Sequence, residues 1–262
     1  MTVSPTTASP LATEPHRYQL RHVQRPQNRP PITAPAAPGF RMGDTAANLL
    51  RPALIVTASR TSASHLCDNE GSVASLALSH SLSVGFTAHT ADGPNSSGSA
   101  LLHHRDLDAL GLTIRQAWTQ AAKNLCERSR ISHRITFWQR PAIALGARSH
   151  LRSENGGDSA LNKAVQVASP GGLATSWLCH PRTFTILNGH LQIQLETPRV
   201  VYCMPSPEIL IVAPDTGHAD AYRLAQWAVE VAGSHREKGA VSDTLVYFPL
   251  VWADGFPREY LS

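Results

Sequence analysis

Residues 199–249 read RVVYCMPSPEILIVAPDTGHADAYRLAQWAVEVAGSHREKGAVSDTLVYFP, and the fold turns on this stretch. Val200, Val201 and Tyr202 are β-branched or aromatic, and so are Ile209, Ile211 and Val212; the spacing predicts two strands, RVVYCM and EILIVAP. Between them Pro205 and Pro207 flank Ser206. Each proline lacks a ladder donor and holds φ near about −65°, so the first strand is expected to break there and return antiparallel through a Pro-Ser-Pro turn. Pro214 ends the second run, and Asp215-Thr216-Gly217 is turn chemistry. Ala221, Leu224, Ala225, Ala228, Val231 and Ala232 then recur at helical spacing. Gly233 is placed to end that helix, with His235, Arg236 and Lys238 beyond it, where cations complement the negative pole. The alanine-rich stripe lets the helix lie close to a sheet. Thr244 to Phe248 predicts a further strand.

Working outward, Leu49 to Thr57 predicts a strand. His80 to Ala88 alternates, with Leu82, Val84 and Phe86 on one face, as in a strand with one wet side. Ala91 to Ser99 is a turn cluster and Leu101 to His103 a returning strand. Thr113 to Cys126 carries an apolar helical stripe, with Thr113 as N-cap and Gln116 at the capping-box position. Ile131 to Trp138 and Lys163 to Ala168 read as strands, and Thr61 to Ser75 and Ser149 to Ala160 as polar loops. Ser169-Pro170-Gly171-Gly172 leads into a short helix through Trp177 and Leu178. A second short helix, His180 to Leu187, is expected to end where Asn188-Gly189 turns the chain. Helices mixed with hairpin-like strand pairs predict an α+β fold, with a mixed or mainly antiparallel sheet and helices packed on it, in one domain over residues 45–262.

The chain has 262 residues and a net charge of +4. Through Arg41 there are five arginines (Arg17, Arg21, Arg25, Arg29, Arg41) and one acid, Glu14, so residues 42–262 are neutral overall. Residues 1–44 also hold eight of the nineteen prolines, which predicts a disordered Pro/Arg-rich tail. The strict four-residue spacing of Arg17, Arg21, Arg25 and Arg29 leaves three readings: a solvated tail, an arm for an acidic partner or a nucleic acid backbone, or an organelle transit peptide. No apolar run approaches the roughly 20 residues of a membrane span. No secretory h-region precedes the fold, and Cys67, Cys126, Cys179 and Cys203 form no CxxC pair. A soluble protein in the reducing cytoplasm is the expectation.

The chemistry-bearing residues are sparse. Thirteen histidines invite a metal, but His103-His104 point apart on a strand, and neither His65 with Cys67 nor Cys179 with His180 has a second pair at zinc-like spacing. No metal and no cofactor are expected. There is no GxSxG elbow, so Cys179 beside His180 is the candidate catalytic pair, while Cys126 and Cys203 lie in apolar elements and read as core. Gly171 and Gly172, before a helix start, could hold an anion on backbone N–H groups. Asp106 and Asp108 near a helix start, and Asp68 and Glu70 in a loop, read as capping and solubility groups. Basic and aromatic residues are not interleaved, so the body is not expected to bind nucleic acid.

Several of these stretches also follow one family's order. Val84 to Leu125 gives a strand, then Asp92-Gly93-Pro94-Asn95-Ser96, the step HHRDLDALGLT, and a helix ending AAKNL. His180-Pro181 to Phe184 is followed by strand, Pro-Ser turn, strand, helix and strand. Over roughly residues 75–250 the chain resembles the bacterial YtpQ-like family, a domain of unknown function. The resemblance implies a soluble cytosolic α+β domain; it carries no chemistry and no catalytic residues.

A well-patterned scaffold without a convergent reactive set predicts a non-enzymatic module that binds a protein partner or a ligand. Its surface is expected at the loop ends Pro205–Glu208 and Gly171–Trp177, with Gly171, Gly172, Ser176, Trp177 and Ser206 as candidate binding residues. The alternative is a hydrolase using Cys179 and His180, or a serine near Ser176.

Overall fold

The structure, a computed structural model, describes residues 47–56, 72–88, 101–146, 160–237 and 246–261, all within one compact unit. The expectations for the arginine tail, His65, Cys67, Asp68, Glu70 and the turn at 91–99 fall outside the described residues. In chain order the elements are β1 (Leu50–Val56), β2 (Ser75–Ala77), β3 (Leu82–Ala88), α1 (His104–Ala109), α2 (Ile114–Arg128), β4 (Arg130–Ile131), β5 (Arg134–Ile135) and β6 (Trp138–Pro141). There follow α3 (Ala160–Lys163), β7 (Val165–Ala168), a 3-10 helix (Ala174–Cys179), α4 (Pro181–Gln194), β8 (Val200–Ser206), β9 (Ile209–Pro214), α5 (His218–Glu237), β10 (Leu250–Ala253) and β11 (Phe256–Glu259). All named strand pairs are antiparallel, in an open six-stranded sheet (β11-β10-β8-β9-β7-β6), a three-stranded sheet (β1-β3-β2) and the β4–β5 hairpin, so the fold is α+β.

The β8–β9 hairpin is buried on both faces, and strict alternation divides its side chains. Val200, Tyr202, Met204, Leu210 and Val212 join a core shared with α2, α4, the 3-10 helix and the three-stranded sheet. Val201, Cys203, Ile209, Ile211 and Ala213 face α5, which brings Ala221, Leu224, Ala225, Trp227, Ala228, Val231 and Ala232. Small alanines on one stripe let α5 approach β8 closely, while Leu224, Trp227 and Val231 supply most of the apolar area; each such side chain fully buried contributes about 1.5–3 kcal/mol.

Tertiary packing overrides local signals at several points. β8 runs on through Pro205 and Ser206 instead of breaking at Met204. The register slips between Cys203 and Ser206, and that irregularity accommodates a proline without a ladder donor. Only Pro207 and Glu208 make the turn. Helix α4 passes straight through Asn188-Gly189, because Phe184, Leu187 and Leu191 are all fully buried and Asn188 Oδ1 accepts the buried Tyr202 hydroxyl at 2.8 Å. Helix α5 likewise continues past Gly233. The strand expected over 131–138 is split by Ser132 and His133, both at positive φ (50° and 67°). Val246 to Phe248 is not strand; the β10–β11 hairpin follows instead, turning at Asp254-Gly255 with φ of 51° and 85°. Leu101 and His103 make isolated bridges only. β3 has no wet side at its centre. Gly85 is buried, and a Cβ there would meet Ile55 Cδ1 at 2.5 Å.

The turn before the 3-10 helix presses on the end of α2. Ser129 Oγ and Ser169 Oγ share a buried hydrogen bond of 2.9 Å, and a Cβ at Gly171 would stand 2.1 Å from Ser129 Oγ and 3.0 Å from the Leu125 carbonyl oxygen. Gly171→Ala should therefore lower stability by about 1–3 kcal/mol. Gly189→Ala, at a helical site with nothing within 4 Å of the added atom, should raise it by about 0.5–1 kcal/mol. Urea denaturation of the two variants beside the parent protein checks both signs.

Candidate functional site

The 3-10 helix Ala174–Cys179 and the first turn of α4 hold most of the residues singled out from the sequence, and the structure buries most of them. Cys179 is fully buried; its Sγ lies 4.0 Å from the Thr175 carbonyl oxygen, and burial pushes the thiol well above its ordinary pKa. His180 is the N-cap of α4. Its Nδ1 accepts the Arg182 backbone N–H at 3.1 Å, and its ring lies against Trp118 with centroids 4.5 Å apart. The Trp118 Nε1–H donates to the Cys179 carbonyl at 2.6 Å. No hydrogen bond joins the Cys179 thiol to the imidazole, and a thiol sealed in the core lines no cleft. The expected nucleophile–base pair is not assembled.

The two candidate serines are buried as well, Ser176 with a partner and Ser206 Oγ without one among the described residues. Ser176 is buried and its Oγ donates to the Pro52 carbonyl at 2.7 Å; Ser206 is a fully buried strand residue. Trp177 is fully buried, with Phe137 edge-on at 4.7 Å. Ser176, Trp177 and Ser206 therefore do not lie on a binding surface as expected from loop ends. The segment is apolar (Ala174, Trp177, Leu178, Cys179) and is wedged between the two sheets. Gly171 is buried too. What stays accessible is Leu173, 44% exposed, with Gly172, Pro207 and Glu208 half-buried. Thr175 Oγ1 donates to the Pro207 carbonyl at 2.6 Å, so the two loop ends paired on sequence grounds do meet.

One polar cluster carried no sequence signal. Asp215, with a 5% exposed side chain, accepts from Arg199 Nε (3.1 Å, Oδ2), the Tyr260 hydroxyl (2.9 Å, Oδ1) and the Gly217 backbone N–H (3.0 Å, Oδ1). The Arg199 guanidinium lies 5.8 Å from the Tyr260 ring centroid, and His218 stacks on Tyr222 at 4.5 Å. Partial burial and the Asp215 carboxylate hold the Tyr260 phenol above its ordinary pKa. With both Asp215 oxygens engaged, the cluster fastens the start of β8 and the chain after β11 to the turn before α5. Asp215 and Tyr260 are 45 residues apart in sequence, a separation no local pattern reports.

Among the described residues the histidines do not converge. His190 Nε2 accepts from Gln139 Nε2 at 3.3 Å, and His235 Nε2 bonds the Leu145 carbonyl oxygen at 2.8 Å. Among the described residues, no three His, Cys, Asp or Glu side chains form a group able to hold a metal ion. Asp106 Oδ2 accepts the His103 backbone N–H at 2.7 Å, a capping contact at the start of α1.

Burial, and for His180 the nearby Arg182, lower the pKa of His180 and His190 below 6.5. The unfolded chain then takes up protons first as pH falls, so stability is full above that value and declines as pH drops through it toward the folded pKa. The denaturation midpoint should fall between about pH 7.5 and about pH 5.5, and His180→Asn, which keeps an N-cap acceptor without titrating, should flatten that slope.

Compared with protein-family models, with characterised proteins and with solved structures, the chain matches none of them.

Proposed function

We propose that the protein is a non-enzymatic module that binds a ligand or a protein partner on the face where Gly172 and Leu173 meet the β8–β9 turn. One observation carries this reading: the reactive groups near that face are engaged internally or sealed in the core, whereas its apolar side chain, Leu173, is exposed. The Ser176 hydroxyl is engaged with Pro52, the Cys179 thiol is sealed, and the His180 imidazole caps α4. The hydrolase alternative would need at least two of these groups free and facing each other, and no contact supports it.

The proposal includes a cytoplasmic location, on the ground that Cys126, Cys179 and Cys203 are all free thiols buried in the core. No helix of the described residues is long and apolar enough to cross a membrane. Kinship with the bacterial YtpQ-like domains belongs to the same proposal, resting on the order β3, α2, α4, β8, β9, α5.

A thermal-shift screen of small ligands, run beside turnover assays with ester, amide and phosphoester substrates, tests the reading. Ligands that raise Tm should lose their effect in Leu173→Asp, and no substrate should turn over. Turnover abolished in His180→Asn or Ser176→Ala would overturn the proposal.

A further inference from the structure

Two arginines from distant parts of the chain act on each other, and one of them, Arg51, lies beside that face. Arg51 lies on β1, and Arg128 is the last residue of α2. The Arg128 Nη2–H donates to the Asn48 carbonyl, which ties the end of α2 to the segment leading into β1. Arg51 Nε and Arg128 Nη1 are each buried atoms without a hydrogen-bond partner. Neither arginine takes part in an ion pair among the described residues; Glu127, next in the chain to Arg128, pairs with Lys123 instead.

The electrostatics are one-sided. Burial lowers the pKa of Arg51, and the positive charge of Arg128 lowers it further, with no carboxylate of the described residues acting in the opposite direction. Two cations held near each other, each with a spare donor in a partly dry setting, are an unfavourable arrangement for the protein by itself. A bound anion would relieve the repulsion.

The Ser169–Gly172 turn completes the place. Gly172 sits at φ 143°, a conformation that side-chain-bearing residues rarely adopt. A Cβ built there would have one neighbour within 4 Å, Arg51 Nη1 at 3.8 Å, so open space borders the guanidinium. The glycine pair suggested an anion on backbone N–H groups at a helix start. The Gly171 N–H is instead taken by Ser169 Oγ at 3.4 Å, and the helix that follows is a six-residue 3-10 turn. The charge beside this turn comes from Arg51 and not from a helix pole.

We infer that Arg51, beside the bare backbone of Gly172, and Arg128, at the end of α2, form a binding site for a phosphoryl group. Guanidinium forks match tetrahedral oxyanions in geometry and in charge. The shared chemistry is a phosphate dianion, whether free or as the monoester of a small organic ligand. Leu173, next to Gly172, would then contact the organic body. The inference rests on the proposed binding face and names its ligand class.

The test is calorimetric titration of the full chain with inorganic phosphate and with phenyl phosphate, at constant ionic strength. Saturable binding is expected, weakened about tenfold or more in both Arg51→Gln and Arg128→Gln and less in Arg51→Lys, which keeps charge but loses the fork. Tighter binding of phenyl phosphate than of inorganic phosphate, lost in Leu173→Asp, assigns an organic monoester; equal binding assigns free phosphate. The unliganded Arg51→Gln protein should keep its Tm or gain, since a repulsion is removed. Absence of saturable binding, binding unchanged in both glutamine variants, or a lower unliganded Tm with unchanged binding would overturn the site. Such a failure, with other ligands still losing their effect in Leu173→Asp, removes the phosphoryl site and leaves the binding face standing.

Discussion

The architecture depends on a short polar anchorage inside an apolar segment. The 3-10 helix Ala174–Cys179 lies between the two sheets, and its two hydroxyls reach in different directions. Thr175 donates to the end of the β8–β9 hairpin and Ser176 to Pro52 on β1. Both acceptors are backbone carbonyls that no strand partner claims. β1 is an edge strand, and such an edge exposes unpaired polar groups. In a strand the N and O of one residue point to the same side, so the Pro52 nitrogen faces the same edge, where its missing N–H leaves nothing unsatisfied. The Leu50 carbonyl on that edge is satisfied by Asn124 of α2 at 3.1 Å. Apolar burial around Trp177, Leu178 and Cys179 supplies the driving force, and these few hydrogen bonds set the register in which the layers meet.

The same economy governs the six-stranded sheet. In a hairpin buried on both faces a polar side chain needs a partner within the core; among the described residues Ser206 Oγ on β8 has none, whereas Tyr202 does. Tyr202 resolves its hydroxyl on Asn188, and the Phe184 ring stands edge-on to it with centroids 4.9 Å apart. At the solvent end, Asp215 gathers Arg199, Tyr260 and Gly217 into one fastening. Arg199 is 65% exposed, so this ion pair counts as part of a hydrogen-bonded clamp more than as Coulomb energy.

Function enters as a contrast between satisfied and unsatisfied groups. Cys179, His180, Ser176 and Asp215 are each adjacent to something reactive by sequence or by type, yet each is engaged or sealed. Among the described residues Arg51 Nε and Arg128 Nη1 have no acceptor and neither arginine has an ion-pair partner, and Arg51 stands where the chain leaves Gly172 bare. A stable fold tolerates such a pair only at modest expense, and functional sites are where that expense is commonly found.

The sequence by itself determined the elements whose signals are local. Thr113 and Gln116 set the start of α2, the alanine stripe set α5, and β-branched runs set β1, β8 and β9, because caps, periodicity and propensity act over a few residues. The α+β class followed from their order. Tertiary structure decided everything that depends on contacts distant in sequence. Asn188-Gly189 stays helical because Tyr202 and the core outweigh a turn preference, and Pro205 stays in a strand because the register slips around it. The candidate site divides the same way. The glycine pair at Gly171-Gly172 was legible as a special turn, but its burial against Ser129 and its neighbour Arg51 were not. Arg51 and Arg128 are ordinary residues in the sequence; only packing of β1 against α2 brings the charge of Arg128 to bear on Arg51, and like charge acting across a fold leaves no trace in local composition.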